Sequence, residues 1–408
     1  MNQNQEYFVG LDIGTSAVRC VVGMFDPNGS SMPSIIGHGQ AINHGMRRGA
    51  VVHVDDVAEA VVQAVTEAER IAGKSIKSAT VNVNGSHVSG MDSEGVIAIS
   101  AANREITSED RLRVEEAATI VSLPPNREIV QFFAKNYSLD GQKNIKDPVG
   151  MHGVRLEVDA HIVTASSPNL RNLDMAMEKA EVAAMHHTVS GLAAAEAVMT
   201  RQQKEVGTAL IDIGAGTTNL IVFEDGEVQH IAVLPIGGQH ITNDLAICLK
   251  TDIDVAEQVK IQHADLRADH KKTTALVRVG DKAYNFQSED VSMVIEARVE
   301  ELLEYVEKQL QKIKRNRKLP GGIIITGGTA QIRGIDEFTR EKMQLPARIG
   351  KLHNIGGLVD TVEDQKFTTV VGLMLLDMLL LPTLPPPTGR STESAKALMD
   401  SLFGRFKR

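Results

Sequence analysis

Residues 209–223 read ALIDIGAGTTNLIVF: an apolar strand ends on Asp212, a tight Gly-rich loop follows, and a second strand leaves through Leu220–Phe223. Near the start of the chain, residues 8–23, FVGLDIGTSAVRCVVG, repeat the pattern with Asp12 in the corresponding place. One such hairpin reads equally well as an ordinary β-turn between two strands. Two copies in corresponding places imply two related half-molecules that face each other.

The residue types suit an anion between them. Glycine lets the backbone take unusual dihedrals and approach a ligand closely. A tight Gly/Thr loop can turn several N–H groups toward one phosphate, and the hydroxyls add donors. An Asp at the strand end would repel phosphate directly, but it can hold a hydrated Mg²⁺, which keeps several waters and takes few carboxylates. A nucleotide gripped by both hairpins is the ligand this pattern fits.

The bulk properties narrow the class. At 408 residues the chain has room for two or more domains. Hydrophobic residues at 42% and charged residues at 23% describe an ordinary globular protein. A net charge of −9 argues against a general nucleic-acid binder, which needs a basic face. With no Trp and 3% aromatics, the core must be built from aliphatic side chains and Met. Cys20 and Cys248 both sit in apolar patterns and read as reduced, buried thiols. The opening MNQNQEYFVG has no basic stretch followed by an apolar core, so no secretory signal is expected.

The pattern along the chain is α/β. Strands are expected at Ser34–Gln40 and Ser78–Asn84, with a helix from about Asp55 to Ala72 between them. That helix has Val57, Val61, Ala64, Val65 and Ala68 on one face, Asp55 or Asp56 as cap and Gly73 as stop. Residues 85–161 read as an inserted module: strand-like Gly95–Ser100, a helix over Ser108–Ser122 capped by Thr107 or Ser108, strand-like Ile129–Tyr137, and a closing DPVGMHGVRLE at 147–157. A strand at His161–Ala165, a helix at Leu170–Ala184 and an Ala-rich helix at Gly191–Thr200 lead into the second hairpin. Beyond it come strand-like His230–Pro235, a helix at Gln239–Leu249 entered through Gly237 and Gly238, and a smaller polar insertion from Thr251 to about Gln287. A long helix at Ser292–Lys314 and a buried strand at Gly322–Thr326 follow, the strand running into the loop Gly327-Gly328-Thr329-Ala330.

Phe367–Leu381, FTTVVGLMLLDMLLL, is the most hydrophobic run. It is too short for a membrane span and carries Asp377 in its middle, so it is expected to be a buried helix closing the first domain. Residues 382–394, PTLPPPTGRSTES, form a Pro/Ser/Thr linker that cannot pack a core. The last residues, 394–408, are SAKALMDSLFGRFKR. At helical spacing Ala395, Leu398, Met399, Leu402, Phe403 and Phe406 fall within an arc of roughly 140°. Lys396, Arg405 and Lys407 flank that arc, with Arg408 on the polar side. This is the pattern of a short interfacial helix on an anionic leaflet, where each basic residue adds about 1 kcal/mol. A helix docking on the protein itself or on a partner is the other reading. One such helix would bind weakly, and many copies in one polymer would bind firmly through effective concentration.

Two DIG hairpins, an Ala-rich helix between them and a late strand–GGT loop resemble the actin, heat-shock chaperone and sugar-kinase superfamily. The resemblance implies an actin-like two-domain fold with duplicated ribonuclease-H-like cores, two inserted subdomains and a C-terminal amphipathic helix on a flexible linker. It implies ATP and Mg²⁺ as ligands. Asp12, Gly14 and Thr15 then match the first phosphate loop, and Asp212, Gly214, Gly216, Thr217 and Thr218 the second. Gly327, Gly328 and Thr329 match the adenosine motif, with Gly237 and Gly238 beside it. Glu257 and Lys260, in AEQVK, resemble the E-x-x-K pair that holds ribose and adenine; an exposed i,i+3 helix pair is the ordinary alternative. Asp12 and Asp212 would hold the metal through water.

Within the superfamily the chain resembles the FtsA family, bacterial cell-division proteins that tie FtsZ filaments to the membrane. The shared parts are the module at 85–161 with NIKDPVGMHGVRLE, the LPIGGQHIT and ITGGTAQIRGI segments, and the linker with its amphipathic tail. The implied organisation is subdomain 1A at 1–84 and 162–192, 1C at 85–161, and 2A at 193–250 and 292–366, with 2B at 251–291. The helix 367–381 closes 1A, 382–393 is the linker and 394–408 the membrane helix. Implied partners are the FtsZ tail on a face around Thr251–Arg298, with Arg298 as a contact, further copies of the chain stacked head to tail, an anionic membrane, and other division proteins, but no nucleic acid. Such stacking is heterologous and need not close, so a filament is its natural product. The expected place is the cytoplasmic face of the cell membrane at the septum, as a peripheral protein.

One departure bears on chemistry. Active ATPases of the superfamily carry an acid just before a Pro-x-Ala-Ala-Ala run, whereas here Val189-Ser190-Gly191-Leu192-Ala193-Ala194 places Ser190 there. Ser can hydrogen-bond a water but is no base at neutral pH, so slow hydrolysis is expected and no catalytic residue is assigned. Two alternatives use the same fold. A small-molecule kinase needs an acid over an acceptor hydroxyl, and none stands out. A PilM-like pilus-assembly adaptor shares the hairpins but lacks the amphipathic tail. The histidines, His186-His187 included, show no zinc-ligand spacing.

Overall fold

The computed structural model describes residues 7–25, 32–100, 103–267 and 274–380. The duplication read from the two hairpins is visible in the backbone. Strand Tyr7–Ile13 pairs antiparallel with Ala17–Phe25, which pairs with Pro33–Ile42, while Tyr7–Ile13 also runs parallel to Ser78–Val83. Strand Thr208–Ile213 repeats this with antiparallel Thr218–Glu224 and Glu227–Leu234 and parallel Gly322–Thr326. The first sheet runs in the order Ala183–Val189, Ser78–Val83, Tyr7–Ile13, Ala17–Phe25, Pro33–Ile42, Gly356–Gly357. The strands on both sides of each loop are buried on both faces, which suits their unbroken runs of Val, Ile and Leu.

The second sheet does not stop at its own half-molecule. Beyond Glu227–Leu234 it continues through Ser89–Ala98, Arg155–Ser166, Arg127–Leu139 and Gln142–Ile145, so nine strands form one surface. The junction is a single pair, Ala232 opposite Ser89. These last four strands carry helix Ser108–Thr119 and have their own apolar cluster around Phe132, Val114, Leu156 and Ile162. Its cap is Thr107, whose hydroxyl accepts from the Asp110 N–H while the Asp110 carboxylate accepts from the Thr107 N–H.

Several expected boundaries move. Arg155–Ser166 is one continuous strand, because its register with Ser89–Ala98 runs unbroken from Arg155 to Thr164 and its pairing with Arg127–Leu139, shifted after Asp159 and Val163, extends from Leu156 to Ser166; the sequence suggested a strand only from His161. The helix expected at Leu170–Ala184 is Ser167–Lys179; the chain turns at Glu181 with φ 59° and re-emerges as strand Ala183–Val189. That strand was missed because AAMHHTV lacks an alternating pattern, and parallel pairing with Ser78–Val83 decides it. Helix Val54–Ala72 is entered from His53, with Asp55 and Asp56 in its first turn; Gly73 ends it in the left-handed region, φ 63°.

The apolar run near the C-terminus is the buried helix Thr368–Leu380, and Asp377 has a structural reason. Its carboxylate accepts the Val9 N–H at 2.9 Å and the Thr80 hydroxyl at 2.7 Å, pinning the helix to two strands of the first sheet. The helix packs at backbone contact. A Cβ at Gly10 would lie 2.3 Å from the Val370 carbonyl oxygen, and one at Gly372 would lie 1.7 Å from that of Ala193. Helices Gly238–Leu249, Ile253–His263 and Ser288–Lys312 cover the far face of the second sheet, where Leu245, Val259, Val299 and Val306 share a core with Ile211 and Ile325. Among the described residues no helix is long and apolar enough to cross a membrane.

Candidate functional site

The two Asp-bearing hairpins have the same local geometry. Each loop is closed by the glycine after the Asp-Ile pair: Gly14 N–H donates to the Ala17 carbonyl at 3.1 Å, and Gly214 N–H to that of Thr217 at 2.9 Å. Register places Arg19 opposite Asp12 and Asn219 opposite Asp212. Asn219 Nδ2 donates to Asp212 Oδ2 at 3.1 Å, and Thr369 Oγ1 on the closing helix lies 3.4 Å from the same oxygen. The Arg19 guanidinium stands 4.0 Å from Asp12 Oδ2 and over the Phe367 ring at 5.6 Å.

These carboxylates come from different half-molecules and are both buried. Burial pushes Asp12 up to about 7; Arg19 opposes that rise and the charge of Asp212 adds to it. Burial pushes Asp212 up to about 6 against the hydrogen bonds from Asn219 and Thr369 and the charge of Arg19. Two buried carboxylates that each favour the neutral form are poised for a cation. Asn219 Oδ1 beside them is buried and has no hydrogen-bond partner among the described residues. Hydrated Mg²⁺ fits this donor set, since it takes one or two carboxylates and keeps its waters. Among the described residues no cluster of three or more His, Cys, Asp or Glu side chains is arranged for a metal.

The loop tips meet across the cleft. A Cβ at Gly216 would lie 2.9 Å from Thr15 Oγ1 and 3.1 Å from the Arg48 Cα, so only glycine permits the approach. Asn84 Nδ2 of the first half donates to Thr217 Oγ1 of the second at 3.1 Å. Behind the second loop, Gly237 is packed against the Gly214 and Ala215 carbonyls, and the Gly238 N–H donates to the Gly214 carbonyl at 2.9 Å. Thr329 Oγ1 donates to the same carbonyl at 3.2 Å, and a Cβ at Gly238 would lie 2.5 Å from that hydroxyl. Gly327, φ 87°, is pressed against Asp212 Oδ1, while Gly328 is open, with Lys366 Cβ the nearest neighbour at 3.9 Å. Lys260 Nζ donates to the Gly238 carbonyl at 3.2 Å, Thr242 Oγ1 at 2.8 Å and Glu257 Oε2 at 2.6 Å.

These contacts gather Asp12, Gly14, Thr15, Asp212, Gly214, Gly216, Thr217, Gly237, Gly238, Glu257, Lys260, Gly327, Gly328 and Thr329 where the two hairpins face each other. Thr218 is turned away from that region: the residue is fully buried and its hydroxyl donates to the Ile236 carbonyl at 2.8 Å. Ser190 is buried at the start of helix Ser190–Val198, where its Oγ accepts from Asn82 Nδ2 at 3.1 Å, and Asn82 Oδ1 in turn accepts the Ile13 N–H at 2.7 Å. Arg298 stands apart from the cleft, joined to Asp244 of helix Gly238–Leu249 and to Glu301 of its own helix. The tail residues Leu398, Met399, Leu402, Phe403, Arg405, Phe406, Lys407 and Arg408 lie outside the described residues.

Arg19, Asn82, Asn84, Asn219 and Thr242 also contribute and were not singled out in the sequence. Arg19 and Asn219 had a signal, since each stands opposite an Asp once the hairpin register is drawn. The other three are brought in by tertiary packing.

Similarity to known proteins adds to this geometry. The family model of cell division protein FtsA matches residues 209–372, and that of the SHS2 domain inserted in FtsA matches residues 85–164. Cell division protein FtsA of Neisseria meningitidis is 33% identical over 413 residues, spanning 100% of this chain and 99% of that protein. Its counterpart in Bacillus subtilis is 36% identical over 375 residues, spanning 91% and 83%. Among solved structures, the PilM–PilN type IV pilus biogenesis complex matches with a TM-score of 0.65 at 15% identity, covering 91% of this chain and 99% of that one. MreB5 of Spiroplasma citri bound to ADP matches at 0.54 and 15%, covering 91% and 96%, and the MamK double helical filament at 0.52 and 15%, covering 93% and 99%. At such identities these structures establish the fold alone, and that fold is actin-like.

Proposed function

The chain belongs to the FtsA family of cell division proteins, and from that premise we propose that it binds ATP with Mg²⁺, polymerises on the inner face of the cytoplasmic membrane and anchors FtsZ filaments at the septum. The observation that carries the nucleotide part is the meeting of two buried carboxylates, one from each half-molecule, beneath two glycine loops that touch at Gly216 and Thr15. Asp12 and Asp212 hold the metal through its waters. N–H groups and hydroxyls of Gly14–Thr15 and Gly214–Thr217 receive the phosphates. Gly327 and Gly328 admit the base and ribose to the backbone, with Glu257 and Lys260 on the other wall beside Gly237 and Gly238.

Ser190 supports slow turnover. It is buried and hydrogen-bonded to Asn82, and its hydroxyl is no base at neutral pH. ATP then serves mainly to close the cleft and license polymerisation. Copies stack head to tail, the module at 85–161 contacts the neighbouring subunit, and the face around Thr251–Arg298 receives the FtsZ tail, after which later division proteins are recruited. The segment 394–408, amphipathic by its sequence, ties the polymer to anionic lipid; each copy binds weakly and the array binds firmly.

Sedimentation with vesicles containing anionic lipid, in the presence of MgATP, tests the tether. The full chain is expected in the pellet and a chain ending at Glu393 in the supernatant. Equal pelleting of both would refute the membrane reading. The PilM likeness rests on fold at 15% identity, whereas the full-length sequence relatives are FtsA proteins.

A further inference from the structure

A short hairpin in the first half-molecule reaches the seam between the phosphate loops. Met46 pairs with Val51 and Arg47 with Ala50, leaving Arg48 and Gly49 as the two turn residues, φ 50° and 75°. Both positive values define a turn that favours Asn-Gly or Gly-Gly, so an arginine at its first position is held in backbone it disfavours. Strain of this kind at a cleft is a reason to look for a task.

The turn is locked in place. A Cβ at Gly49 would lie 2.6 Å from the Gly85 Cα, so the turns Arg48-Gly49 and Asn84-Gly85 pack backbone to backbone. Each then grips one phosphate loop: the Gly49 N–H donates to Thr15 Oγ1 at 3.0 Å, and Asn84 Nδ2 to Thr217 Oγ1 at 3.1 Å. Arg48 sits between these grips with its Cα against Gly216. Its side chain is exposed, and among the described residues it has no hydrogen-bond or ion-pair partner. Its charge is felt across the cleft at His240, which burial and, secondarily, Arg298 and Arg48 hold below the ordinary imidazole range.

The cleft has a direction. Glu257, Lys260 and Thr329 gather at the Gly238 end, and the loop tips, where Thr15, Gly216 and Arg48 meet, form the other part. A nucleoside triphosphate with its base at the first end brings its terminal phosphate toward the second. We infer that Arg48 is the specificity residue for that terminal phosphate, a guanidinium that distinguishes nucleoside triphosphate from diphosphate. This rests on reading the cleft as a nucleotide site. Arginine suits the task because its planar fork can bond two phosphate oxygens at once while always charged.

The test is isothermal titration of the full chain with MgATP and with MgADP, comparing wild type, Arg48→Gly and Arg48→Lys. Glycine relieves the positive φ, so Arg48→Gly should melt at or above the wild-type temperature. It should lose about tenfold in MgATP affinity, near 1.4 kcal/mol, with MgADP affinity within twofold of wild type. Arg48→Lys should recover most of the loss, as a point charge without the fork. Unchanged affinity for MgATP, or an equal loss for both nucleotides, overturns the inference while leaving the nucleotide site intact. A wild-type chain that binds neither nucleotide overturns the site reading and the inference together.

Discussion

Replacing Asp12 by Asn should stabilise the nucleotide-free protein while abolishing its response to MgATP. Burial raises the Asp12 carboxyl from its usual 3.8 to about 7. A folded-state value above the unfolded one means that the native protein binds more protons than the unfolded chain between those limits. The contribution of this group to stability is therefore fully present below about pH 4 and is lost as pH rises through the window from 3.8 to about 7. The slope is at most about 1.4 kcal/mol per pH unit, which integrates to about 4 kcal/mol at neutral pH. Water entering the cleft reduces that, and half of it still moves the melting temperature by roughly 4–8 °C in a domain of a few hundred residues. Asn has no proton to gain or lose, so the Asp12→Asn advantage should be near zero at pH 4 and grow toward pH 7. The assay is thermal unfolding of both proteins in EDTA across pH 4–8, repeated with excess MgATP. In MgATP the order should reverse, because the cation lets wild-type Asp12 ionise without penalty while the variant has lost a metal-holding group. A pH-independent difference, or a variant less stable than wild type at pH 8 in EDTA, would refute the argument that burial and Asp212 strain this carboxylate.

Two further outcomes are specific. Gly372→Ala places a methyl 1.7 Å from a backbone oxygen of the Ala-rich helix, where no side chain can move aside; a loss at or above the usual overpacking range, about 3 kcal/mol, should appear as a lower urea midpoint. Steady-state phosphate release by the full chain with MgATP should remain far below the turnover of a typical enzyme, about 10 s⁻¹, since Ser190 offers no base, and a rate of that order would defeat the slow-hydrolysis reading.

Much of the fold was legible because the decisive features are local. A strand ending in Asp-Ile-Gly, buried on both faces, carries its own turn chemistry, and writing it twice gives the duplication. The closing helix was legible from its length and from a charge that excludes a membrane span. What the sequence hid was set at long range. Strand Ala183–Val189 exists because Ser78–Val83 offers it a parallel edge; its first two residues, Ala183 and Ala184, read as the end of a helix, and the rest carry no strand pattern. The nine-stranded sheet depends on the pairing of Ala232 with Ser89, which no local pattern announces. The same division holds at the cleft. Glycines and Asp residues of the loops could be named from the text. Arg19 follows from the hairpin register opposite Asp12, but Asn84 and Arg48 could not be named, since each matters only through a residue far along the chain.

The arrangement also ties closure of the cleft to the charge it encloses. Asp12 belongs to the first sheet and Asp212 to the second, so bringing the half-molecules together is the same act as bringing two buried carboxylates within reach of each other. Like charges in low dielectric repel strongly, and something must neutralise them for the closed form to persist. Arg19 does part of this from the first hairpin, at 4.0 Å and with its Cζ over the Phe367 ring. Protons or a divalent cation can do the rest, and they compete for the same oxygens. On the proposed reading of the site, a bound cation and the relative position of the two halves would then be one equilibrium. A ligand that brings a cation with it shifts that equilibrium toward closure without needing to be consumed.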